Sequence, residues 1–512
     1  MKFKSILHTL IFCLLSITIT AQNVSILPTG ITPAPAASYP RISYDQILAL
    51  PAPQAGDMAY DLTFNCLRVF NGTKWLQLIT TQDIGQVSGF AWQLTSNASL
   101  SVNGMVKDAS GNIYVTGNFN GTAVFGNTNY ISTGDNDVFL AKYTSAGVFQ
   151  WVRVAGSRAG DIALDVCLDP SGNVLITGYY FDAITFGNTI LPYSGACDVF
   201  VTKYDPSGNV LWAKFAGGTG LDVSNTIETD AAGNVYFGGY FLGSITFFGN
   251  TNITINSLGG EDGFFAKLDA SGTLIWAKGV QGAEAQRVKD LMMSGTDLIA
   301  LGTFSNSTNF GNDIVLNAGT ENTNIYLAKY NTSGQILAAI GFGGAATDMA
   351  GKLTQDANAN IWACGSIYFD ATIGNFNLTS NGYYDAFFVK LNSNLNILFA
   401  DNFGGGSNDT ANDIGVDASG NIYITGDYYL STSNGLKTVN SNGGSDIFVA
   451  KYSNAGAPGF LQSYGGAEYD SGRIISVGSN IYIGGVFSQT VNFGNILSSN
   501  NSLNGYVLRL AE

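Results

Sequence analysis

The sequence predicts an all-β protein: a seven-bladed β-propeller of four-stranded blades, closed by pairing of its N- and C-terminal strands, with a small N-terminal β module. Three observations lead there: a glycine-punctuated composition, two short signatures that each recur seven times in step, and chain ends that complete one another. Glycine supplies 64 of 512 residues, while charged and aromatic residues are each 12 %. Such a chain suits many short strands joined by tight turns, and fits neither a coiled coil nor a long disordered tail.

The first signature is a turn followed by an apolar strand. It reads DASGNIYVTG at Asn112, DPSGNVLITG at Asn173, DAAGNVYFGG at Asn234, SGTDLIALG at Asp297, DANANIWACG at Asn360, DASGNIYITG at Asn421 and VGSNIYIGG at Asn480. The second keeps the same step, from DVFLAKY at Lys142 through Lys203, Lys267, Lys329, Lys390 and Lys451 to GYVLRL at Arg509. Each unit holds four strand-like runs: an Asp-terminated one such as ALDVCLD, then NVLITGYYF, VFVTKY and VLWAKFAG. A four-stranded unit cannot bury both sheet faces alone, so seven of them stack face to face around an axis. These motifs, GN(I/V)YxTG followed by GxDxFxAKY and a Trp strand, resemble the SBBP (seven-bladed β-propeller) repeat family from about residue 90 to 511. The resemblance implies an architecture and no agreed activity.

Register at the ends predicts how the ring shuts. The chain enters with FAWQL, Phe90 to Leu94, in register with the strands of Trp151, Trp212 and Trp276; it leaves with YVLRL, Tyr506 to Leu510, the strand that elsewhere precedes a Trp strand. The Asp-terminated run is the innermost strand and the Trp run the outermost, so the last blade takes three strands from the C-terminus and its fourth from Phe90 to Thr95. Closure removes an open sheet edge.

Residues 89–512 therefore form the propeller. Before them, 1–21 read as a secretory signal peptide, with Lys2 and Lys4, an apolar run from Leu7 to Ile19 and Ala21 at the cut. Residues 22–54 are a proline-rich spacer, and 55–80 a two- or three-stranded meander with turns at Phe64-Asn65 and Asn71-Gly72. This meander is similar to a short module met near the N-terminus of exported Bacteroidetes proteins. The expected location is secreted across the inner membrane, then extracellular, cell-surface or periplasmic. No transmembrane segment is expected, and the propeller is expected to be monomeric. Cys66, Cys167, Cys197 and Cys364 match no CxxC spacing, Cys167 and Cys364 in strand-like apolar runs read as buried inert thiols, and no structural disulfide is expected.

The only histidine is His8, inside the leader. Ser-His-Asp and Cys-His catalysis and His-ligated metals are thereby excluded from the mature chain. A net charge of −15 makes nucleic acid an unsuitable partner. No DxDxDG loop exists, so no cofactor is expected beyond weak Ca²⁺ binding and no metal site is assigned. The turns DxxGN and KYxxxG lie at one end of the strands, and longer connections carrying FGN, such as Phe186-Gly187-Asn188, lie at the other. That long-loop face collects two acid series: Asp161, Asp222, Asp348, Asp409 and Asp470 after the Trp strands, and Asp137, Asp198, Asp262, Asp385 and Asp446, with Asn324 and Asn504, before the AKY strands. They read either as carboxylate rings for a cationic or hydroxyl-rich ligand or as acceptors for the amides of their own loops. Tyr130, Tyr193, Tyr383 and Tyr384 are the candidates for ligand stacking. The basic series Lys142 to Arg509 sits near Asp108, Asp169, Asp230, Asp356 and Asp417, which predicts blade-to-blade ion pairs.

The expected function is a non-catalytic interaction scaffold for an unknown protein or glycan at the long-loop face. The alternatives are a glycan-binding, lectin-like propeller and a carboxylate-based hydrolase or lyase. For the last, an acid unique to one blade and deep in the channel would be the sign. Deleting the last seven residues is expected to lower the melting temperature and cause aggregation. A truncated chain as stable and monomeric as the full one in scanning fluorimetry and gel filtration contradicts closure by the termini.

Overall fold

A computed structural model describes residues 40–61, 66–70, 72–77, 89–344 and 346–510. The leader, residues 22–39 of the spacer, and Phe64, Asn65 and Asn71 of the meander turns lie outside the described residues. Contacts divide the chain into two units, Met1–Phe90 with Glu512, and Ala91–Ala511.

In the smaller unit the expected meander is present, as Met58–Asp61, Cys66–Phe70 and Trp75–Gln77 in antiparallel order. The described part of the spacer differs from expectation. Arg41–Ile42 adds a parallel strand beside Met58–Asp61, and Tyr44–Leu48 is a helical turn. Ser43 and Gln46 close a capping box, Ser43 Oγ accepting from the Gln46 N–H at 3.4 Å and Gln46 Oε1 from the Ser43 N–H at 2.9 Å, so two N–H groups at the start of the turn are satisfied locally. Ile47, Ala59 and Trp75 make a miniature core. Within it Arg68 meets Asp61 at 2.6 Å, both fully buried, with its guanidinium over the Tyr44 ring.

The larger unit is β-propeller-like and built from antiparallel ladders. In one ladder Asp161–Leu168, Val174–Tyr180, Asp198–Tyr204 and Val210–Gly217 pair in chain order. The first strands of the successive ladders are Ser99–Lys107, Asp161–Leu168, Asp222–Thr229, Gln286–Ser294, Met349–Gln355, Asp409–Val416 and Ser471–Val477. The strand Gly89–Ser96 lies beside Ile496–Leu510, which places the two ends of the unit in one sheet. Asn495 reinforces that seam by donating to the Ala91 carbonyl and accepting from its N–H, each at 2.8 Å.

The long connections are not open loops. They fold as hairpins, and four of them pair with the end of the preceding Trp strand: Thr95 with Val124, Ala216 with Phe247, Gln281 with Asn309 and Gly343 with Thr372; Ile184–Phe186 and Thr189–Leu191 pair only with one another. The FGN phenylalanines Phe125, Phe186 and Phe493 fold back into the core. Core packing runs between neighbouring ladders: Val138 and Leu140 of one share a cluster with Ile176 and Phe200 of the next. The recurrent aromatics Phe139, Phe200, Phe264, Tyr326, Phe387, Phe448 and Tyr506 are all wholly buried. The Gly that ends the first signature is required by close approach, since a Cβ at Gly178 would run into the Ile162 carbonyl of the first strand.

The DxxG turn needs a left-handed residue, which Gly111, Gly172, Gly233 and Gly420 supply at φ near 80°. In DANAN that position is Ala359, held at φ 61°. A non-glycine residue there costs roughly 1 kcal/mol or more. Ala359→Gly is therefore expected to stabilise the protein by about 1 kcal/mol, read as a higher urea midpoint at unchanged slope; an unchanged or lower midpoint contradicts the strain.

Candidate functional site

The sequence-selected acids are all placed alike. Asp161, Asp222, Asp348, Asp409 and Asp470 are buried and each accepts the backbone N–H four residues earlier: Ser157 at 2.5 Å, Gly218 at 2.8 Å, Gly344 at 2.7 Å, Gly405 at 2.8 Å and Gly466 at 2.7 Å. The second series uses the same four-residue closure, for example Asp198 with the Ser194 N–H at 2.8 Å and Asp446 with that of Asn442 at 3.0 Å. Tyr130 packs against the core on Phe125, and Tyr193 donates to the Ala196 carbonyl. Tyr383 and Tyr384 both contact Tyr368, with Tyr383 the more exposed at 54 %.

The two series meet as pairs, each acid of the second facing one of the first in the next repeat: Asp137 with Asp161, Asp198 with Asp222, Asp385 with Asp409, Asp446 with Asp470. Burial, with the neighbouring carboxylate adding to it, pushes Asp161 to about 7, Asp222 to about 8, Asp409 to about 7 and Asp470 to about 7. Asp198, Asp222, Asp385, Asp409 and Asp446 each keep one buried oxygen without a hydrogen-bond partner. Burial is the largest cause of each shift and favours the protonated carboxyl. Where the pattern departs from Asp–Asp, the equivalent residues are Asp262 with Gln286 and Asn324 with Asp348. The Asn324 Oδ1 and Gln286 Oε1 atoms are likewise buried without a hydrogen-bond partner, and burial raises Asp348 to about 6.

The basic series corrects the expected blade-to-blade ion pairs. Lys203 meets Asp169 at 2.8 Å, Lys267 meets Asp230 at 3.6 Å and Lys390 meets Asp356 at 3.8 Å, and each pair lies inside one ladder. The link to the neighbour is a carbonyl. Lys203 donates to Ala270, Lys329 to Ser393 and Lys390 to Asn454, one repeat on, and Arg509 donates to Ser145 in the first repeat.

The site that sequence reading missed lies on the first strands. Every one carries a bulge, and the residues at and just after it face an axial channel. A cavity of about 430 Å³ toward the tight-turn end is lined by Asp165, Glu228, Asp290, Lys352 and Asp413 among others. A second, of about 490 Å³ toward the other end, is lined by Asn103, Asn225, Lys289, Asn412 and Arg473, and shares Lys352. The Lys352 ammonium sits 3.2 Å from Asp165 and 3.0 Å from Asp290. Each acid is braced by the next strand: Asp165 accepts the Ile227 N–H at 3.0 Å, Asp290 that of Leu353 at 2.8 Å, and Asp413 that of Ile475 at 2.7 Å.

Burial works against the Lys352 charge, but Asp165, Asp290 and Asp413 outweigh it and hold the amine firmly protonated. Burial raises Asp165, with Lys352 opposing. Asp413 is pushed by burial up to about 7, and Glu228 likewise to about 7. The signal that finds this site is variation within the repeat: the position after the bulge runs Gly104, Asp165, Thr226, Asp290, Lys352, Asp413, Ile474. Cys167, Cys197 and Cys364 are buried free thiols, each raised by burial and so poor nucleophiles. No group of three or more His, Cys, Asp or Glu suited to a metal occurs among the described residues, and no helix among them is long and apolar enough to cross a membrane.

No family model matches the chain. An uncharacterized WD repeat-containing protein of Acanthamoeba polyphaga mimivirus is 26 % identical over 200 residues, which is 33 % of this chain and 14 % of that protein. Virginiamycin B lyase from Staphylococcus aureus is similar in fold at a TM-score of 0.41 and 10 % identity, over 82 % of this chain and 99 % of the lyase. Puromycin hydrolase is similar at a TM-score of 0.41 and 10 % identity, over 79 % of this chain and 54 % of the hydrolase. These comparisons correct the expectation of a non-catalytic scaffold: among the solved structures to which the chain is similar are a lyase and a hydrolase. At such identities neither a residue nor a substrate carries over.

The acid pairs give the protein a definite pH response. A carboxyl raised in the folded state binds its proton more tightly there than when unfolded, so its contribution is complete below its ordinary value near 4 and is lost as pH rises through about 6 to 8. The turn acids Asp169, Asp230, Asp356 and Asp417, lowered against burial by side-chain and backbone hydrogen bonds, lose theirs only below that value. The melting temperature is expected to be higher at pH 5 than at pH 8, with Asp222→Asn flattening the slope. A profile that is level or climbs toward pH 8 contradicts buried protonated carboxyls.

Proposed function

We propose that the seven repeats close as seven four-stranded blades around this channel, and that the channel is the active site of a carboxylate-based hydrolase or lyase. The observation that carries the reading is the break in repeat symmetry on the innermost strands. Residues that hold a blade together recur in almost every repeat, whereas Asp165, Asp290, Lys352 and Asp413 share one repeat position with glycine, threonine and isoleucine.

The chemistry follows from the groups present. Asp413 and Glu228, at about 7, exchange protons near neutrality, which is what a general acid and a general base require. Lys352 is a fixed cation suited to stabilise negative charge developing on a substrate oxygen. Asp165 and Asp290 both reach that one ammonium, at 3.2 and 3.0 Å, which holds the two carboxylates on either side of it. Bracing by backbone N–H groups holds these carboxylates in place before substrate arrives. The leader read from Met1 to Ala21 makes the substrate an extracytoplasmic molecule, and the SBBP-like repeats supply the scaffold.

The test is a panel of aryl glycosides, aryl esters and uronate-containing polysaccharides, the last followed by absorbance of the unsaturated product. Turnover with an optimum near pH 7 is expected, falling by about 100-fold or more in Asp413→Asn and in Lys352→Met. No turnover on any member, or full activity in folded Asp413→Asn, overturns the assignment.

A further inference from the structure

On the long-connection side of Lys352, two cations keep donors to spare. The asparagines there are tied to adjoining strands: Asn103 donates to the Ala163 carbonyl at 2.9 Å, Asn225 to Val288 at 2.8 Å and Asn412 to Gly472 at 2.9 Å. Arg473 donates to Asn103 Oδ1 at 2.7 Å, which uses one of the five N–H groups of its guanidinium. Lys289 is exposed, lines the cavity of about 490 Å³ and has no ion-pair or hydrogen-bond partner among the described residues. Lysine on an outer face needs no explanation, because water satisfies it. Here the chain has 22 basic residues and a net charge of −15, and those of the third strands are occupied with turn carbonyls, as Lys203 and Lys390 are. The bulge position runs Asn103, Leu164, Asn225, Lys289, Gly351, Asn412, Arg473, so no repeated structural duty calls for a cation at either place.

The rest of the cavity wall narrows what would meet these cations. Asp165 and Asp290 are committed to Lys352 and to the Ile227 and Leu353 amides. Asp427 lines the cavity with one oxygen engaged, Oδ1 accepting from Ser471 at 2.7 Å and from Asn412 at 3.1 Å, while Oδ2 has no partner among the described residues. Tyr469, 40 % exposed, adds an aromatic ring to the same wall. Spare cationic donors, one carboxyl acceptor and a ring together fit a sugar that bears a carboxylate. Its anion pairs with Lys289 and Arg473, its hydroxyl hydrogens go to Asp427, and its carbon skeleton packs on Tyr469. A sulfate ion has no hydrogen for Asp427, and a neutral sugar leaves Lys289 without a counter-charge.

We infer that the long-connection half of the channel is a subsite for a uronic-acid unit of an anionic polysaccharide, with Lys289 and Arg473 holding its carboxylate. Lys352 lines this cavity and the one beyond it, so the unit next to the one seated on Lys289 comes to Lys352 and Asp290. The inference rests on the hydrolase or lyase reading for what happens to that next unit, and on the cavity wall alone for recognition of the carboxylate.

The experiment is calorimetric titration at low salt of the full chain, and of its Asp413→Asn form to read binding without cleavage. The probes are trisaccharides of galacturonate, glucuronate and mannuronate, each beside its uncharged methyl ester. One acidic trisaccharide or more is expected to bind, and its ester to bind about tenfold more weakly, the worth of one charge-assisted hydrogen bond. Lys289→Met is expected to weaken the acid by about tenfold and leave the ester unchanged, while Lys289→Arg keeps the charge and stays within about threefold. Binding of no acidic member, an ester that binds as tightly as its acid, or full affinity in Lys289→Met overturns the inference. Displacement by sulfate beyond that by chloride of equal ionic strength overturns it too, since it marks an anion site blind to the sugar. Uronate binding without turnover keeps the subsite and removes the hydrolase or lyase, whereas cleavage of neutral glycosides with no uronate binding removes the subsite alone.

Discussion

Each sheet in the larger unit is one layer thick, so both of its faces must be covered by other sheets, and every structural feature answers to that constraint. A ladder alone would leave Phe200 or Phe264 in water, yet both are wholly buried because the next ladder lies against them. Covering faces with apolar side chains sets the sheets side by side without fixing their angle or height. The polar ties do that, and they run between neighbours at three levels. Lysine ammonium groups reach the next turn's carbonyl, aspartates on the innermost strands accept the next strand's amide, and four outer hairpins pair with the preceding Trp strand.

The chain stores many carboxyl groups where water does not reach. Burying an ionised carboxylate is costly, and a group in that position takes up a proton instead. The Asp198–Asp222 and Asp385–Asp409 pairs do this around a loop, where a proton in place of a charge lets two acids lie together. Lys352 offers the other solution, a cation between two acids, so the channel floor is charged while the loop ends are close to neutral. The same residue type therefore closes loops at one level and lines the channel beside a cation at another.

Repetition and its interruption separate those roles. The backbone plan is copied from ladder to ladder, and the residues that execute it are copied too, down to the turn glycines and the buried aromatics. The innermost strands keep the bulge and change what it presents: asparagine where a neighbour needs tying, arginine where the last strand meets the first, lysine where nothing is tied. A propeller-like scaffold supports this because its strands converge on an axis, so side chains about sixty residues apart stand together.

Strand content, the order within each ladder, the tight turns and the adjacency of the two chain ends were legible in the residues, because each depends on neighbours in sequence or on a repeat compared with itself. The acid series was legible as a pattern, and its acceptance of loop amides was one of the two uses weighed for it. The hairpins made of the long connections were not, since pairing with the preceding Trp strand is a lateral contact. Lysine partners were misassigned for a similar reason: a charged pair inside one ladder and a carbonyl link to the next look alike when only spacing is known. The helical turn at Tyr44–Leu48 escaped notice because prolines dominate its surroundings and its capping box is four residues long. By itself, then, the chain determined a repeating β architecture through local periodicity and turn chemistry. Only the tertiary structure decided that Asp165, Asp290 and Lys352 meet, because a bulge turns a side chain toward the axis and no linear spacing records which way it points.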